Sequence, residues 1–563
     1  MEIIKNKYVV FFFMINFILP VSAQFLPKDD AKLNYNQIYF EYPYNENAVF
    51  YNIYLAIDSS QAKSDFKNYL INTYKDKTPA ARIDELQFGK KYKWYVETNL
   101  KSGEKINSDI HYFSILNTVY NDTTKYSVKQ YYNKKDKIED GLIWCDHLHC
   151  ALNRKGKVVW FIPPLNSDFK EDRQIRDFRF QKNGTVTFIS EPEAYHTDRD
   201  LNIIWKGPND GKISKAKNEF YHHCFELLLN GNYMALGNEY LELERTDSKD
   251  TVSRKVELAT LIEYNRFGEI VWSWKMIDHF PLDLLASNEG NAVMNPHCNS
   301  FSIDKENKFI YLGFRDISRV IKIDKVSGKI VSSYGKKLNK TDTVLNETSI
   351  FSHPHDATIL SNNRLMVLNN NEVSKGKISS LEIMNLPNNT TNKIKSVFSF
   401  KFNFDTLTNG KSMKLGGAKI LTNGNFLINE GVINRIIEVT KSKELLWDLM
   451  IYKKNSAAQE WSNFPQYNID YSTSLYPYYF SINTPKILNK KLTITIFNEG
   501  DFSDTYQIDL IDENNNRIIS NKQTSVVNKN NFQVHVFKIE ISSQFKLKIK
   551  SMSSGIVREV HVN

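Results

Sequence analysis

Residues 351–360 read FSHPHDATIL and set two histidines and an aspartate directly ahead of a short apolar run. Imidazole titrates near neutrality and can donate a proton, accept one or attack an electrophile, so histidines are the first candidates for chemistry. The offset recurs. HCFELLLNGNYMAL from His223 and HDATILSNNRLMVL from His355 each place a histidine seven residues before an Asn that opens a turn, and HCNSFSIDKENKFIYL from His297 repeats the scheme with one extra turn residue. In a hairpin, residues equidistant from the turn face each other. With its turn centred on Glu306, that hairpin sets His297 opposite Arg315. The same construction sets His355 opposite Asn369 and Asn370, and His223 near Asn238 and Glu239. Strand alternation adds Asn299 to the face of His297. An arginine among imidazoles and amides suits a tetrahedral or trigonal-planar anion, whose oxygens guanidinium binds in pairs. His223, His297, His355 and Arg315 are therefore the candidate catalytic groups, with Asn299 and Asn369 as candidate substrate-binding groups. Three histidines on strands could also hold Zn²⁺, but an adjacent guanidinium would repel the cation, so no metal is expected.

These groups must be carried by repeated strands. GGAKILTNGNFLIN from Gly416 continues the hairpin series, and a weaker copy, RDFRFQKNGTVTFIS, starts at Arg176. Each copy is followed by a second pair of strand-like runs, often closed by a tryptophan: Trp160, Trp205, Trp272 and Trp447. Four strands in about 40–50 residues is the content of one propeller blade. Six such units start near residues 140, 173, 220, 297, 355 and 416. The first lacks an innermost strand, which either residues 125–137 or the chain after the sixth unit would supply. The predicted fold is all-β, a six-bladed β-propeller over 125–485 with a sandwich on each side. Residues 27–118, with FGKKYKWYVET, read as a fibronectin type III-like sandwich, and 490–563 as a small C-terminal β-sandwich suited to sorting. A sandwich like the first can seat a propeller, pair two copies as a homodimer or reach a glycan. QYNIDYSTSLYPYYFS, after Trp461, offers aromatic rings for a channel mouth, with Tyr476 as the candidate for stacking on a ring-bearing substrate.

Residues 1–23 combine Lys5 and Lys7, an apolar run and Val21-Ser22-Ala23, the pattern of a cleaved export signal, which predicts a periplasmic, secreted or cell-surface protein with no integral membrane segment after cleavage. Four cysteines are too few for a disulfide scaffold; Cys145 with Cys150 and Cys224 with Cys298 is the simplest pairing. The net charge of +9 is spread along the chain and gives no basic stripe for nucleic acid. No G-x-x-x-x-G-K-[ST] loop or C-x-P-x-R sulfatase setting occurs, and no cofactor is expected.

Three segments, HHCFELLLNGNYMALG from His222, PHCNSFSIDKENKFIYLGFRDISRVIKID from Pro296 and the His355-Asp356 pair with its run, resemble the bacterial arylsulfate sulfotransferases, exported six-bladed propellers that move sulfuryl groups between phenols without a nucleotide donor. The resemblance covers most of 140 to about 480. It implies an aryl sulfate donor, a phenolic acceptor and His355 as the nucleophile of a transient sulfohistidine, with ping-pong kinetics. It further implies that His223, His297, Asn299 and Arg315 bind the sulfuryl oxygens and that one of the two histidines handles the phenolic proton. His353 is the rival nucleophile, and Asp356 is structural. Cys224 stands where the pattern has an acidic residue after histidine. A non-catalytic propeller that binds sulfated or phenolic ligands, or a protein, is the alternative.

Overall fold

The protein is described by a computed structural model over residues 17–20, 25–58, 70–163, 174–246, 251–286, 293–339, 342, 345–387, 393–455, 457–483, 485–512, 517–539 and 544–562. The expected export signal lies outside these residues apart from Phe17–Pro20, a strand that pairs in parallel with 556–559. Among the described residues no helix is long and apolar enough to cross a membrane.

Strands dominate the regular structure of the chain, and its centre is propeller-like. Six strands matter most and are numbered here in chain order: β1 (Ile175–Phe180), β2 (Tyr221–Leu227), β3 (Cys298–Ile303), β4 (Pro354–Leu360), β5 (Gly417–Ile420) and β6 (Ile469–Ser472). Each begins a sheet whose first four strands pair antiparallel. β1 to β5 are each followed by three further strands in chain order, whereas β6 pairs back onto Leu142–Cys145, which leads to Cys150–Asn153 and Val158–Phe161. The chain after the last repeat therefore completes the first sheet. Tyr126–Lys129, the other candidate for this role, instead adds to the outer strand Leu445–Lys454 of the last sheet. The six strands contact one another in a closed circuit: β1 with β2, β2 with β3, β3 with β4, β4 with β5, β5 with β6, and β6 with β1.

Local sequence explains the sheets. Runs such as LIWC, VVWF, VTFIS and IIEV are buried along their whole length because each sheet is covered on both faces by its neighbours. Asn230-Gly231 and Asn423-Gly424 form hairpin turns in which glycine adopts φ of 83° and 82°, a conformation other residues reach at a cost. Between neighbouring first strands, side chains capture backbone N–H groups: Asp177 accepts from Phe225 at 2.8 Å, Ser300 from Ala357 at 3.1 Å, Asp356 from Ala418 at 3.1 Å and Asp470 from Phe180 at 2.8 Å. These bonds satisfy buried donors that have no ladder partner on that side.

On one side, Ala31–Leu33, His111–Ile115, Lys91–Leu100, Ala48–Ile57 and Leu70–Asp76 form a sheet beside the pair Ile38–Glu41 and Ala80–Ile83. Its buried residues, among them Tyr35, Phe40 and Trp94, share one core with Trp144, Trp160 and Phe178 of the propeller-like part. Residues beyond 480 supply two further sheets around a separate core that includes Leu492, Ile508 and Leu547. All four cysteines are free and buried. Cys145 and Cys150 face each other across a hairpin, while the Cys224 thiol donates to the Phe301 carbonyl and that of Cys298 to the Ser300 carbonyl, so the simplest pairing is not made.

Candidate active site

Four of the six first strands share one irregularity, and it builds the site. Pairing register shifts between Arg176 and Arg179 in β1, Tyr221 and Phe225 in β2, Cys298 and Ser300 in β3, and His355 and Thr358 in β4. A bulge inserts extra residues into one strand, bends it and re-aims side chains. Left-handed φ angles mark these places: 54° at Asp177, 64° at His223, 49° at His297 just before β3, and 48° at Asp356. Such conformations are costly for residues other than glycine and persist where the surroundings enforce them.

The bulges correct the expected pairings. His355 faces Leu368, and Asn369 faces Pro354, because the bulge at Asp356 and Ala357 shifts the register by one residue. His223 lies inside the β2 bulge rather than opposite Asn238 and Glu239. The pairing of His297 with Arg315 holds, the Arg315 N–H donating to the His297 carbonyl at 3.1 Å.

His355 is 3% exposed, and its Nδ1 lies 2.5 Å from the Gly416 carbonyl. A carbonyl only accepts, so Nδ1 carries the proton and Nε2 the lone pair. Burial is the main force lowering this imidazole, to about 3, and the positive charges of Arg315, His297 and Arg176 act the same way. The ring is therefore neutral at ordinary pH. The Tyr467 ring packs against it at 4.9 Å, against His223 at 5.4 Å and under the Arg176 guanidinium at 4.9 Å. Tyr467 is itself buried and donates its hydroxyl to the Asn299 carbonyl at 3.0 Å. His223 meets His297 edge to face at 5.0 Å. The His223 Nε2 accepts from Arg176 Nη1 at 3.0 Å, and burial, reinforced by His222 and Arg176, drives its imidazole far below the usual range. Three histidines and two guanidiniums thus converge on one end of the circuit of first strands.

Not every expected group takes part in the same way. Arg315 pairs through Nε with Asp316 at 2.7 Å and remains partly exposed at the rim, where His353 lies in the field of both residues. Asn299 is buried and donates its amide to the Pro354 carbonyl at 2.9 Å, so it ties β3 to β4 beside His355. Asn369 is likewise buried, accepting from the Ser352 N–H at 2.9 Å and lying 3.2 Å from Ser380 Oγ. Tyr476 does not join the cluster. It lies in the core shared with the N-terminal sheets, beneath Arg199 at 3.9 Å and edge-on to Tyr39 at 4.8 Å. The aromatic group of the site is Tyr467, nine residues earlier, which no repeat singles out. Arg176 could have been found: in the weak first copy, Arg176-Asp177 stands where His355-Asp356 stands, and both aspartates clamp the next strand.

Among the described residues no group of three His, Cys, Asp or Glu side chains is arranged to hold a metal ion. What the arrangement can do is hold an anion between guanidiniums beside a neutral imidazole with a free lone pair.

Comparison with solved structures returns the hydrazine synthase of Kuenenia stuttgartiensis at 10% identity, covering 57% of this chain and 75% of that one with a TM-score of 0.28. A luciferin-regenerating enzyme matches at 8% identity, covering 60% and 99% with a TM-score of 0.30. The β-propeller domain of Myceliophteria thermophila Cps50 (Swd1) matches at 8%, covering 57% and 84% with a TM-score of 0.21. Likenesses of this size carry no argument, and the circuit of sheets rests on its own hydrogen bonds. A search of curated proteins finds no match. Residues 127–403 match the family model described as arylsulfotransferase (ASST), a stretch that includes His223, His297, Arg315 and His355, so this part of the chain is similar to that family.

Proposed function

We propose that the protein is an exported sulfuryl transferase that moves a sulfuryl group from an aryl sulfate to a phenol through a sulfohistidine at His355. The observation that carries this reading is the His355 imidazole: buried, neutral, with Nδ1–H fixed on Gly416 and the Nε2 lone pair left for attack. In the donor half-reaction Nε2 bonds to sulfur as the S–O bond to the phenol breaks. In the acceptor half-reaction a second phenol oxygen takes the sulfur back and Nε2 recovers its lone pair. Two similar displacements replace one, which gives ping-pong kinetics. Sulfuryl transfer should follow phosphoryl transfer in using a loose transition state, so positioning and charge stabilisation supply most of the rate. Arg176 and Arg315 are the groups for that charge, and Tyr467 forms an apolar wall beside the nucleophile.

The six sheets serve in this reading as blades of one propeller over 125–485, closed by β6, with 27–118 as a fibronectin type III-like seat and 490–563 as an appended β-sandwich. Intact-mass measurement after brief exposure to 4-nitrophenyl sulfate tests the chemistry. The expected result is one sulfuryl adduct, absent in His355→Ala and discharged by added phenol. Calorimetric binding of the aryl sulfate without any adduct would instead identify a binding propeller, and release of phenol without an acceptor would indicate a hydrolase.

A further inference from the structure

Transfer between phenols needs a proton delivered to the departing phenolate and another removed from the incoming phenol, and both His223 and His297 stand beside His355. We infer that Glu257 is a positioning residue that assigns this proton transfer to His297, while Arg176 withholds His223 from it. The inference rests on the sulfuryl-transfer reading above.

Glu257 sits on an unusual element. The second and third strands of the sheet that β2 begins, Tyr233–Thr246 and Thr251–Tyr264, run 14 residues each. The corresponding strands next in line, Phe309–Phe314 and Arg319–Asp324, have six. The added length carries Glu257 to the level of His297, and the hairpin grips the segment that leads there. Arg254 Nη1 donates to the Val293 carbonyl at 2.8 Å, and the Glu257 N–H donates to Asn295 Oδ1 at 2.9 Å. Glu257 Oε2 then lies 3.4 Å from His297 Nδ1, and Oε1 accepts from the Asn238 amide. Burial pushes this carboxyl up, but the hydrogen bond to His297 and the nearby His222 outweigh it, so Glu257 is an anion at neutral pH. A carboxylate at Nδ1 fixes the proton there, turns Nε2 to the opposite side and stabilises the imidazolium.

His223 is arranged the other way. A guanidinium only donates, so His223 Nε2 is an acceptor for Arg176, and its Nδ1 contacts Nδ1 of His222. Both ring nitrogens are used within the protein. Around the pair, Glu257 also acts on Glu191, Tyr240 and Cys298, and His297 acts on His222, His223 and His355.

In the donor half-reaction His355 Nε2 forms the N–S bond, the aryl S–O bond breaks, and the phenolate oxygen takes the Nε2 proton of the His297 imidazolium. In the acceptor half-reaction neutral His297 takes the proton of the incoming phenol, whose oxygen bonds to sulfur as the N–S electron pair returns to His355.

The test is the single-turnover rate of adduct formation on aryl sulfates whose leaving phenols span weak to strong bases, in wild type, Glu257→Gln, Glu257→Asp and His223→Gln. A nitrophenolate leaves without protonation, so Glu257→Gln should match wild type within about 2-fold on that donor and fall by roughly 100-fold on unactivated phenyl sulfate, within the range general acids supply. Glu257→Asp should recover part of the loss, and His223→Gln should keep the wild-type slope whatever its absolute rate. If Glu257→Gln does not fold, Asn295→Ala loosens the same strand and should steepen the slope to a smaller degree. An unchanged slope in the Glu257 or Asn295 variant, or a steepened one in His223→Gln, overturns this inference while adduct formation in wild type upholds the chemistry. No adduct in wild type on any donor overturns both.

Discussion

A histidine that folding keeps neutral links stability to pH with a definite sign. His355 and His222 are lowered by burial to about 3 and about 4, and His223 is also pushed well below the usual range, whereas in the unfolded chain each titrates near 6.5. Between those limits the unfolded state binds protons that the folded state refuses, so stability is fully present above about pH 6.5 and is lost as pH falls towards 4. Thermal melts across that range should show the midpoint dropping with acid, and His355→Gln should flatten the dependence; an unchanged slope would count against a buried neutral imidazole. Arg176 offers a second test. It reaches His223 with Nη1 and Glu191 with Nε at 3.1 Å while covering Tyr467, a planar arrangement that an ammonium cannot copy. Arg176→Lys should lower kcat/KM for aryl sulfate by about 10- to 100-fold, the range of one lost charged hydrogen bond. The recurring histidine offset was legible because its turn residues are strong local signals. Tyr467 was not, since its place beside His355 depends on chain closure from more than 100 residues away.

Among elements, the clamps between first strands decide where the histidines stand. Asp356 follows the proposed nucleophile in the left-handed conformation and spends its carboxylate on the Ala418 N–H of β5. Removing it leaves a buried donor unpaired, so Asp356→Ala should cost about 1–3 kcal/mol in denaturant unfolding even though the side chain touches no reacting atom. β5 itself must pass close by. A Cβ at Gly417 would lie 2.4 Å from Asp356 Oδ2 and 2.3 Å from Asn468 Oδ1. Gly417→Ala should therefore push β4 and β5 apart, lowering the melting midpoint and slowing adduct formation together; a variant as stable and active as wild type would show that the clamp carries no load. Six repeats could be counted from the sequence because alternating runs and Asn-Gly turns are local. The bulges are not legible because an extra residue in a strand shows only against its partner, so equal spacing from the turn sets His355 one residue away from its partner Leu368. Ring closure had two candidates of equal local quality, and non-local pairing with Leu142–Cys145 chose between them.

At the scale of the whole molecule, the N-terminal sheets are joined to both of their neighbours in a way that independent units would not need. Asn36 N–H donates to the Val159 carbonyl at 3.0 Å and Asn34 Nδ2 to the Phe161 carbonyl at 2.7 Å, extending the edge of the first propeller-like sheet over the buried Trp160. Tyr39 stacks on Tyr479 at 4.2 Å, and Glu41 receives both Arg558 guanidinium nitrogens, at 2.8 and 3.0 Å, from the last strand of the chain. Arg558 is 3% exposed, so its charge is tolerated only because Glu41 answers it. Breaking one side of such a buried pair costs about 3–5 kcal/mol, whereas replacing both sides with apolar groups need not. Glu41→Gln should therefore be strongly destabilising, and Glu41→Leu combined with Arg558→Met should recover much of the loss. Removing residues 25–118 strips Trp160, Tyr476 and Tyr479 of their cover as well as Arg558 of its partner, exposing a contiguous apolar face of the kind that drives aggregation. Such a chain is expected to be insoluble, or to melt more than about 10 °C below the full chain, since each kcal/mol lost moves the midpoint by a few degrees. A soluble monomer with the full-length midpoint would show instead that the propeller-like part folds by itself and that the N-terminal sheets merely rest on it.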